Sequence, residues 1–304
     1  MLTTFSVVSG LALAAISVGS VQVAQASSDS VRPIREVFEP AGNYPVDRHF
    51  KVAVIQWNPS EDANITATPA DARAYKLRNL RAMEVRVRAA ARKGAELIVH
   101  SEFAVTGYPD IPELASADDN FRNRDDIAPF VENLDGMSFQ YFAPIARELG
   151  VFIQLGLATV HPGSDIFYNS AIVIDPNGEL VATYHKQNLF AHEGDFVEAG
   201  HEPATFETPA GKFGVMICAD IYSHEVREQY KRLGVTAVTL SASWAAHNSG
   251  MDAFKEGAQA MGVYVLAANQ TYFPDSGVVS PQGHAQSHIR QTRDGIAYGY
   301  LPRK

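Results

Sequence analysis

Short apolar runs alternate with amphipathic stretches along most of the chain after residue 48. The first two runs, at 51–56 and 95–99, have the length and β-branched content of buried strands. Between them, apolar residues recur every three or four positions, which is the spacing of one helix face: Leu77, Leu80, Met83, Val87 and Ala91. Gly94 follows this stretch, where a glycine commonly ends a helix.

The same alternation continues to the end of the chain. Further strands are predicted at 151–158, 169–174, 180–185, 206–208, 213–217, 237–242 and 263–268, and further helices at 142–149, 224–233 and 252–261. Turn residues at 175–178 and 281–283 predict hairpins. Residues 103–133 have no clear period, and long irregular segments of this kind are commonly functional. The pattern predicts an α/β protein with mixed sheets and outer helices.

The first 26 residues differ from the rest because they contain no charged side chain. An apolar core at 11–16 and the small residues Ala24 and Ala26 are typical of a secretory signal peptide, which we place at 1–26. The alternative is an uncleaved N-terminal anchor, since the uncharged run approaches the ~20 residues that span a bilayer. We favour cleavage, and we expect an exported protein, periplasmic or secreted, with no stable membrane anchor.

The remaining chain is interpreted as two parts. Residues 27–48 are polar and rich in proline and aspartate, which indicates an extended N-terminal arm. Residues 49–304 contain no obvious linker and are predicted to form a single domain. The formal net charge of −9 argues against nucleic acid and anionic membranes as partners.

Three predicted strands each end at one ionisable residue: Glu102, Lys186 and Cys218. Cys218 is the only cysteine of the chain, so it can form no intrachain disulfide. A lone thiol in an exported protein is a liability unless it is buried or used. Taken alone, each residue has an ordinary structural interpretation, but together they are the components of a nucleophilic hydrolase.

The expected chemistry assigns one role to each group. Cys218 is the nucleophile, and Glu102 is the proton acceptor that generates its thiolate. Lys186 and the backbone N–H of Ala219 are expected to stabilise the oxyanion, and such donors contribute about 3 kcal/mol each. The alternative is that Glu102 and Lys186 form a buried ion pair of purely structural use.

Two further interpretations concern the surroundings of these residues. Asp220 is interpreted as the cap of the helix that follows it. The histidines show no convincing metal-ligand spacing, so neither a metal nor a cofactor is predicted.

In these features the sequence resembles the carbon–nitrogen hydrolase (nitrilase) superfamily, whose Glu–Lys–Cys triad has the chain order of Glu102, Lys186 and Cys218. The stretches at 184–190 and 218–221 look like the vanin and biotinidase branch of secreted amidases. The resemblance implies an αββα sandwich, a supporting carboxylate at Glu193 and a homodimer formed through helices near the nucleophile. Unlike that branch, this chain cannot contain an intrachain disulfide. Where true nitrilases commonly have Trp-Glu after the cysteine, this chain has Ala219 and Asp220, which favours amide hydrolysis.

The resulting prediction is an exported amidase that cleaves a linear, non-peptide C–N bond through a cysteine thioester. By resemblance alone, pantetheine-like or biotinyl amides are the first small-molecule substrates to consider. The alternatives are an N-acyltransferase on the same fold and a catalytically silent binding protein. Tyr108 and Trp244, which lie in or near irregular segments, are the candidate substrate-binding residues.

Overall fold

Apolar strands that are buried along most of their length form two mixed β-sheets. The computed structural model describes residues 36–59, 63–109, 121–244, 250–270 and 275–304. The first sheet has seven strands in the order β1-β13-β2-β3-β4-β5-β6, and the second has six in the order β12-β11-β10-β9-β8-β7. The strands of the first sheet are β1 (Glu36–Phe38), β2 (His49–Gln56), β3 (Leu97–Val99), β4 (Phe152–Val160), β5 (Phe167–Ile174), β6 (Leu180–His185) and β13 (Gly295–Pro302). Those of the second are β7 (Ala204–Thr208), β8 (Gly211–Ile217), β9 (Ala237–Ser241), β10 (Tyr264–Ala268), β11 (Ser276–Val279) and β12 (Ala285–Ile289).

Each sheet has a parallel centre that is extended by antiparallel neighbours. Strands β2, β3 and β4 pair in parallel, as do β8, β9 and β10. The hairpin strands β5 and β6 extend the first sheet, while β7 and β11 flank the centre of the second. In such sheets the carboxyl ends of parallel strands form a crevice that suits a ligand site.

The helices of the described chain are α1 (Pro69–Arg92), α2 (Arg124–Ile127), α3 (Met137–Leu149), α4 (His224–Leu233) and α5 (Gly250–Met261). The N-terminus of α1 is fixed by a capping box in which Thr68 and Asp71 exchange hydrogen bonds. The end of α3 is fixed by Gly150, whose φ of +67° lies in the left-handed region that glycine tolerates best. None of the described helices is both long enough and apolar enough to cross a bilayer.

The period of two along β2 separates two hydrophobic layers. Val52 and Val54 belong to the core that joins the two sheets, whereas Ala53 and Ile55 belong to the core beneath α1 and α3. On the second sheet, α5 packs against β10 and β11. These layers confirm the predicted α/β sandwich with mixed sheets and outer helices.

The structure adds elements that the pattern did not predict. Strand β13, at the end of the chain, pairs along its whole length with β2, so the C-terminal residues belong to the interior of the first sheet. Within the predicted N-terminal arm, Glu36–Phe38 forms β1 and pairs with β13. The irregular segment contains the short helix α2, and its residues 110–120 lie outside the described part, as does the predicted signal peptide at 1–26.

Candidate active site

The three strand ends that the sequence singled out meet at one small pocket. Lys186 directly follows β6 and Cys218 directly follows β8, while Glu102 lies three residues beyond β3. The pocket is a narrow cavity of about 20 Å³, and its lining also includes Tyr108, Phe190, Glu193 and Ser243. The first sheet therefore supplies a carboxylate and an ammonium, and the second supplies the thiol.

The ammonium of Lys186 lies between two buried carboxylates. Its Nζ donates to Glu102 Oε1 at 2.8 Å and to Glu193 Oε2 at 2.6 Å. Burial alone would lower the pKa of Lys186, but the charges of Glu102 and Glu193 outweigh it and raise that pKa well above the usual value. An ammonium has three N–H donors, so two bonds to carboxylates leave one donor for a substrate oxygen.

Both oxygens of the Glu102 carboxylate accept hydrogen bonds. Oε1 accepts from Asn169 Nδ2 at 2.7 Å as well as from Lys186, and Oε2 accepts from the backbone N–H of Ser243 at 2.9 Å. The backbone carbonyl of Glu102 accepts from Gln270 Nε2 at 2.7 Å. These bonds fix the carboxylate in one orientation, which is what a positioned proton acceptor requires.

Asn169 joins the two carboxylates on either side of Lys186. Besides its bond to Glu102, its Nδ2 donates to Glu193 Oε1 at 2.8 Å, and the side chain is fully buried. Burial raises the pKa of Glu193, with the charge of Lys186 opposing the shift and that of Glu102 adding to it. The carboxylates are thus tied together by one neutral amide and one ammonium.

Cys218 lies at a sharp change of chain direction. Strand β8 ends at Ile217, and Cys218 begins a 3₁₀ turn with φ of +44°, a left-handed conformation that costs a non-glycine residue of order 1–3 kcal/mol. Burial raises the pKa of the thiol well above its usual value, and the charge of Glu102 raises it further while Lys186 lowers it. The resting site therefore favours the thiol over the thiolate.

The interpretation of Asp220 as the cap of α4 is wrong. Ser223 caps that helix, because its side chain accepts from the N–H of Val226. Asp220 instead accepts from the N–H of Ile217 at 2.9 Å and from the hydroxyl of Tyr184 at 2.8 Å. Its other oxygen accepts from the N–H of Asn188 at 2.8 Å, so Asp220 binds partners on both sides of Lys186 in sequence.

The two candidate substrate-binding residues occupy different environments. Tyr108 lines the pocket, and burial, followed by the charge of Glu102, raises the pKa of its hydroxyl. Trp244 lies in the core between Tyr222 and Phe254, with ring centroids 5.0 and 5.6 Å away, and does not belong to the pocket lining. Ala219, the proposed donor of an oxyanion N–H, is buried and follows the thiol in the 3₁₀ turn.

Within the described ranges, no group of three His, Cys, Asp or Glu side chains is arranged to hold a metal ion. The groups that can act on a substrate there are the thiol, the two carboxylates, the ammonium and neutral donors.

Several residues of the site were not found by sequence reasoning. The backbone N–H of Ser243, the side-chain amide of Gln270 and the position of Phe190 in the lining all contribute to the site. None of these contributions has a distinctive residue pattern in the sequence. Asn169 had a signal, because it lies two residues after the start of β5 in a strand whose other inward residues are apolar. A polar residue at a fully buried strand position indicates a partner that must be satisfied.

Comparison with known proteins identifies the family. A family model for carbon–nitrogen hydrolase matches residues 51–304. Pantetheinase of Homo sapiens is 30% identical over 260 residues, which cover 76% of this chain and 51% of that protein. Biotinidase of Takifugu rubripes is 26% identical over 289 residues, covering 81% of this chain and 54% of that protein. The chain spans about half the length of these curated relatives.

A solved structure agrees with the fold. An amidase of Nesterenkonia, described as a nitrilase-superfamily protein, superimposes with a TM-score of 0.68 at 19% identity and covers 86% of this chain and 94% of its own. The match of the family model to most of the chain decides the assignment, and the predicted resemblance is confirmed. This protein belongs to the carbon–nitrogen hydrolase family.

Proposed function

We propose that this protein hydrolyses a linear, non-peptide amide through a thioester on Cys218. The observation that carries the proposal is the position of the Lys186 ammonium, which lies between Glu102 and Glu193 in the pocket that Cys218 also lines. An ion pair with a purely structural role would not account for a thiol that lines the same pocket. The intact amidase-type residues also argue against a catalytically silent binding protein.

The reaction proceeds in two balanced stages. The thiol proton of Cys218 passes to Glu102 as Sγ bonds to the amide carbonyl carbon, and the oxyanion is stabilised by Lys186 and the N–H of Ala219. The C–N bond then breaks, and Glu102 returns the proton to the leaving amine. In the second stage, water loses a proton to Glu102 as its oxygen bonds to the thioester carbon. The C–S bond then breaks and Glu102 returns the proton to Sγ, which releases the carboxylic acid and restores the thiol.

The raised pKa of the resting thiol fits this sequence of events. Because burial disfavours the thiolate, Cys218 stays neutral until a substrate approaches and Glu102 removes its proton. The proton transfer is thereby coupled to attack, and a reactive thiolate does not persist in the empty site.

The substrate class is taken from the relatives. Their names, pantetheinase and biotinidase, make pantetheine-like and biotinyl amides the first compounds to test on this chain. Ala219 and Asp220, at the place where true nitrilases commonly carry Trp-Glu, favour an amide over a nitrile as substrate.

Intact-mass spectrometry tests the mechanism. The purified protein is incubated with pantetheine, a biotinyl amide and simple amides, and the reaction is quenched quickly. We expect an adduct equal to the acyl group on the wild-type chain and none on Cys218→Ala, which changes one buried atom and preserves the fold. Product formation by Cys218→Ala at the wild-type rate contradicts the mechanism. New amide products after addition of an acceptor amine identify an N-acyltransferase instead.

We also propose that residues 1–26 are removed on export, and that the domain at 49–304 forms a homodimer through helices near Cys218. The uncharged N-terminal composition supports the first proposal, and the family resemblance supports the second. The N-terminal mass of protein recovered from the periplasm or the medium tests cleavage. Sedimentation velocity of the recovered protein tests dimerisation.

A further inference from the structure

The charges that line the pocket restrict which acyl groups can enter it. Two carboxylates, Glu102 and Glu193, face one ammonium, Lys186, so the described residues of the lining carry no positive charge in excess. Lys186 is already bound to both carboxylates at 2.8 and 2.6 Å. A substrate carboxylate placed here would meet two like charges, and the one cation in the described lining is already paired with both of them.

The stretches of sequence between the described ranges supply no compensating lysine or arginine. Residues 60–62, 110–120, 245–249 and 271–274 contain neither residue, and 110–120 contains four acidic residues. The chain as a whole carries a formal net charge of −9. These four stretches therefore contribute no lysine or arginine that could form a salt bridge to an anionic substrate.

One lining residue offers an apolar contact instead. Phe190 lines the pocket with half of its surface exposed, at 50%. Its N–H donates to Glu193 Oε2 at 2.6 Å and its carbonyl accepts from the N–H of Glu193 at 3.1 Å. Ala191, the next residue, is held in the left-handed region at φ of +47°. The backbone of Phe190 is thereby fixed to the carboxylate that binds Lys186.

We propose that the site selects amides with an uncharged acyl group that rests against Phe190, and that it discriminates against acyl groups carrying a carboxylate. The inference rests on the proposed function, because it assigns the acyl side of the substrate to this pocket. It makes Phe190 a specificity-determining residue.

A pair of alkylating reagents tests the selectivity without knowledge of the substrate. Iodoacetamide and iodoacetate have nearly the same size and differ in charge, and Cys218 is the only thiol they can modify. In each case the S–C bond forms, iodide leaves and the thiol proton is lost to the site or to water. Each rate is divided by the rate of the same reagent with N-acetylcysteine. We expect the normalised rate with iodoacetamide to exceed that with iodoacetate by about 100-fold, as a like charge at close range requires.

The matched variants are Phe190→Arg and Phe190→Met. Both change the same partly exposed side chain, but only arginine adds a positive charge at the pocket. We expect Phe190→Arg to raise the normalised iodoacetate-to-iodoacetamide ratio at least 10-fold above that of Phe190→Met. Equal ratios in the two variants, or an iodoacetate rate equal to that of iodoacetamide in the wild type, would overturn the inference.

Glutaramide and glutaramate extend the test to turnover, because they differ only in a terminal amide and a carboxylate. Hydrolysis of glutaramide with at least 100-fold lower kcat/KM for glutaramate supports the inference, and equal values refute it while leaving the amidase proposal intact. If neither compound is hydrolysed, the alkylation ratio decides the selectivity on its own. Absence of alkylation by both reagents would overturn the selectivity and the proposed nucleophile together.

Discussion

Lys186 and Cys218 both directly follow a strand and both are buried, yet their surroundings favour opposite charge states. The carboxylates around Lys186 raise its pKa, so the ammonium is retained in the interior. Burial and the charge of Glu102 raise the pKa of Cys218, so the thiol stays neutral. The comparison teaches that the first sheet holds its charge permanently, whereas the second sheet carries a group that becomes charged only during the reaction we propose.

The largest expected effect comes from removing the permanent charge. Lys186→Met leaves Glu102 and Glu193 facing each other without their shared cation. Breaking a buried pair by removing one partner costs about 3–5 kcal/mol of unfolding free energy. We also expect kcat for the amide found by mass spectrometry to fall by a factor of ~10³ or more, because the oxyanion loses its charged donor.

A double variant separates catalysis from stability. Adding Glu193→Gln to Lys186→Met removes one of the two unpaired carboxylates, so urea denaturation is expected to show part of the stability restored while kcat stays low. Lys255→Met is the matched control, since its ion pair with Asp252 lies on the surface and is expected to contribute little. Retention of near wild-type kcat by Lys186→Met would show that the ion pair is structural.

The second effect concerns the residue that connects the two sheets of the site. Asp220→Ala leaves three donors without their acceptor: the N–H of Ile217, the hydroxyl of Tyr184 and the N–H of Asn188. Tyr184 and Asn188 lie two residues before and two residues after Lys186, and Ile217 directly precedes Cys218. We therefore expect the thiol and the ammonium to lose their position relative to each other. The expected result is a loss of about 3 kcal/mol in stability and a fall in kcat of roughly 100-fold.

Ser223→Ala provides the matched control for Asp220. It removes the true N-cap of α4, which is expected to cost about 1 kcal/mol in stability and to leave kcat unchanged. Thermal denaturation and turnover of the two variants are measured together. If the two substitutions lowered kcat equally, Asp220 would have no special link to the site.

The contrast between these two residues also shows what the sequence could reveal. Asp220 lies two residues after a strand end and shortly before a helix, and local spacing predicted a cap. Ser223 has the capping role because its φ and ψ angles and side chain suit it, while the carboxylate of Asp220 is directed towards a different strand. Contacts between Asp220 and β6 depend on how two sheets pack, which local pattern does not encode.

The strands and helices that were predicted share a strong local period. Helix α1 and strands β2 and β8 bury one face or both faces and are bounded by turn residues or glycine. The local pattern was therefore sufficient to predict these elements. Strand β13 was missed because its alternating tyrosines and glycines resemble a loop, and its pairing with β2 spans most of the chain. The ionisable residues at the strand ends could be predicted for the same reason as the strands themselves. Asn169 and Ser243, in contrast, act through contacts that only the fold creates.

The last prediction concerns stability alone and probes the buried ring of His100, which lies beside Phe142 of α3 with ring centroids 6.3 Å apart. The carbonyl of His100 accepts from Ser241 Oγ of β9 at 2.7 Å, and its Nδ1 lies 3.1 Å from the carbonyl of Gln154. Among the described residues, none is a hydrogen-bond partner of the buried Nε2. Burial is the main cause that lowers the pKa of His100 from 6.5 to about 4.

This shift predicts the sign of an acid effect on stability. Between pH 6.5 and 4 the unfolded chain binds a proton at His100 and the folded chain does not, so the free energy of unfolding falls as the pH is lowered through that range. The full contribution of this one residue is on the order of 3 kcal/mol and is present above pH 6.5. His100→Asn removes the titrating group, and His201→Asn removes an exposed histidine as a control.

Urea denaturation at pH 7.5, 6.0 and 5.0 measures the effect as a slope, so a lower absolute stability of His100→Asn does not obscure it. We expect the wild type and His201→Asn to lose stability in parallel and His100→Asn to lose less. Parallel lines for all three proteins would mean that the ring accepts a proton in the folded state. In that case the interior beside α3 would tolerate charge, and the contrast between a permanently charged first sheet and a neutral resting thiol would apply to the pocket alone.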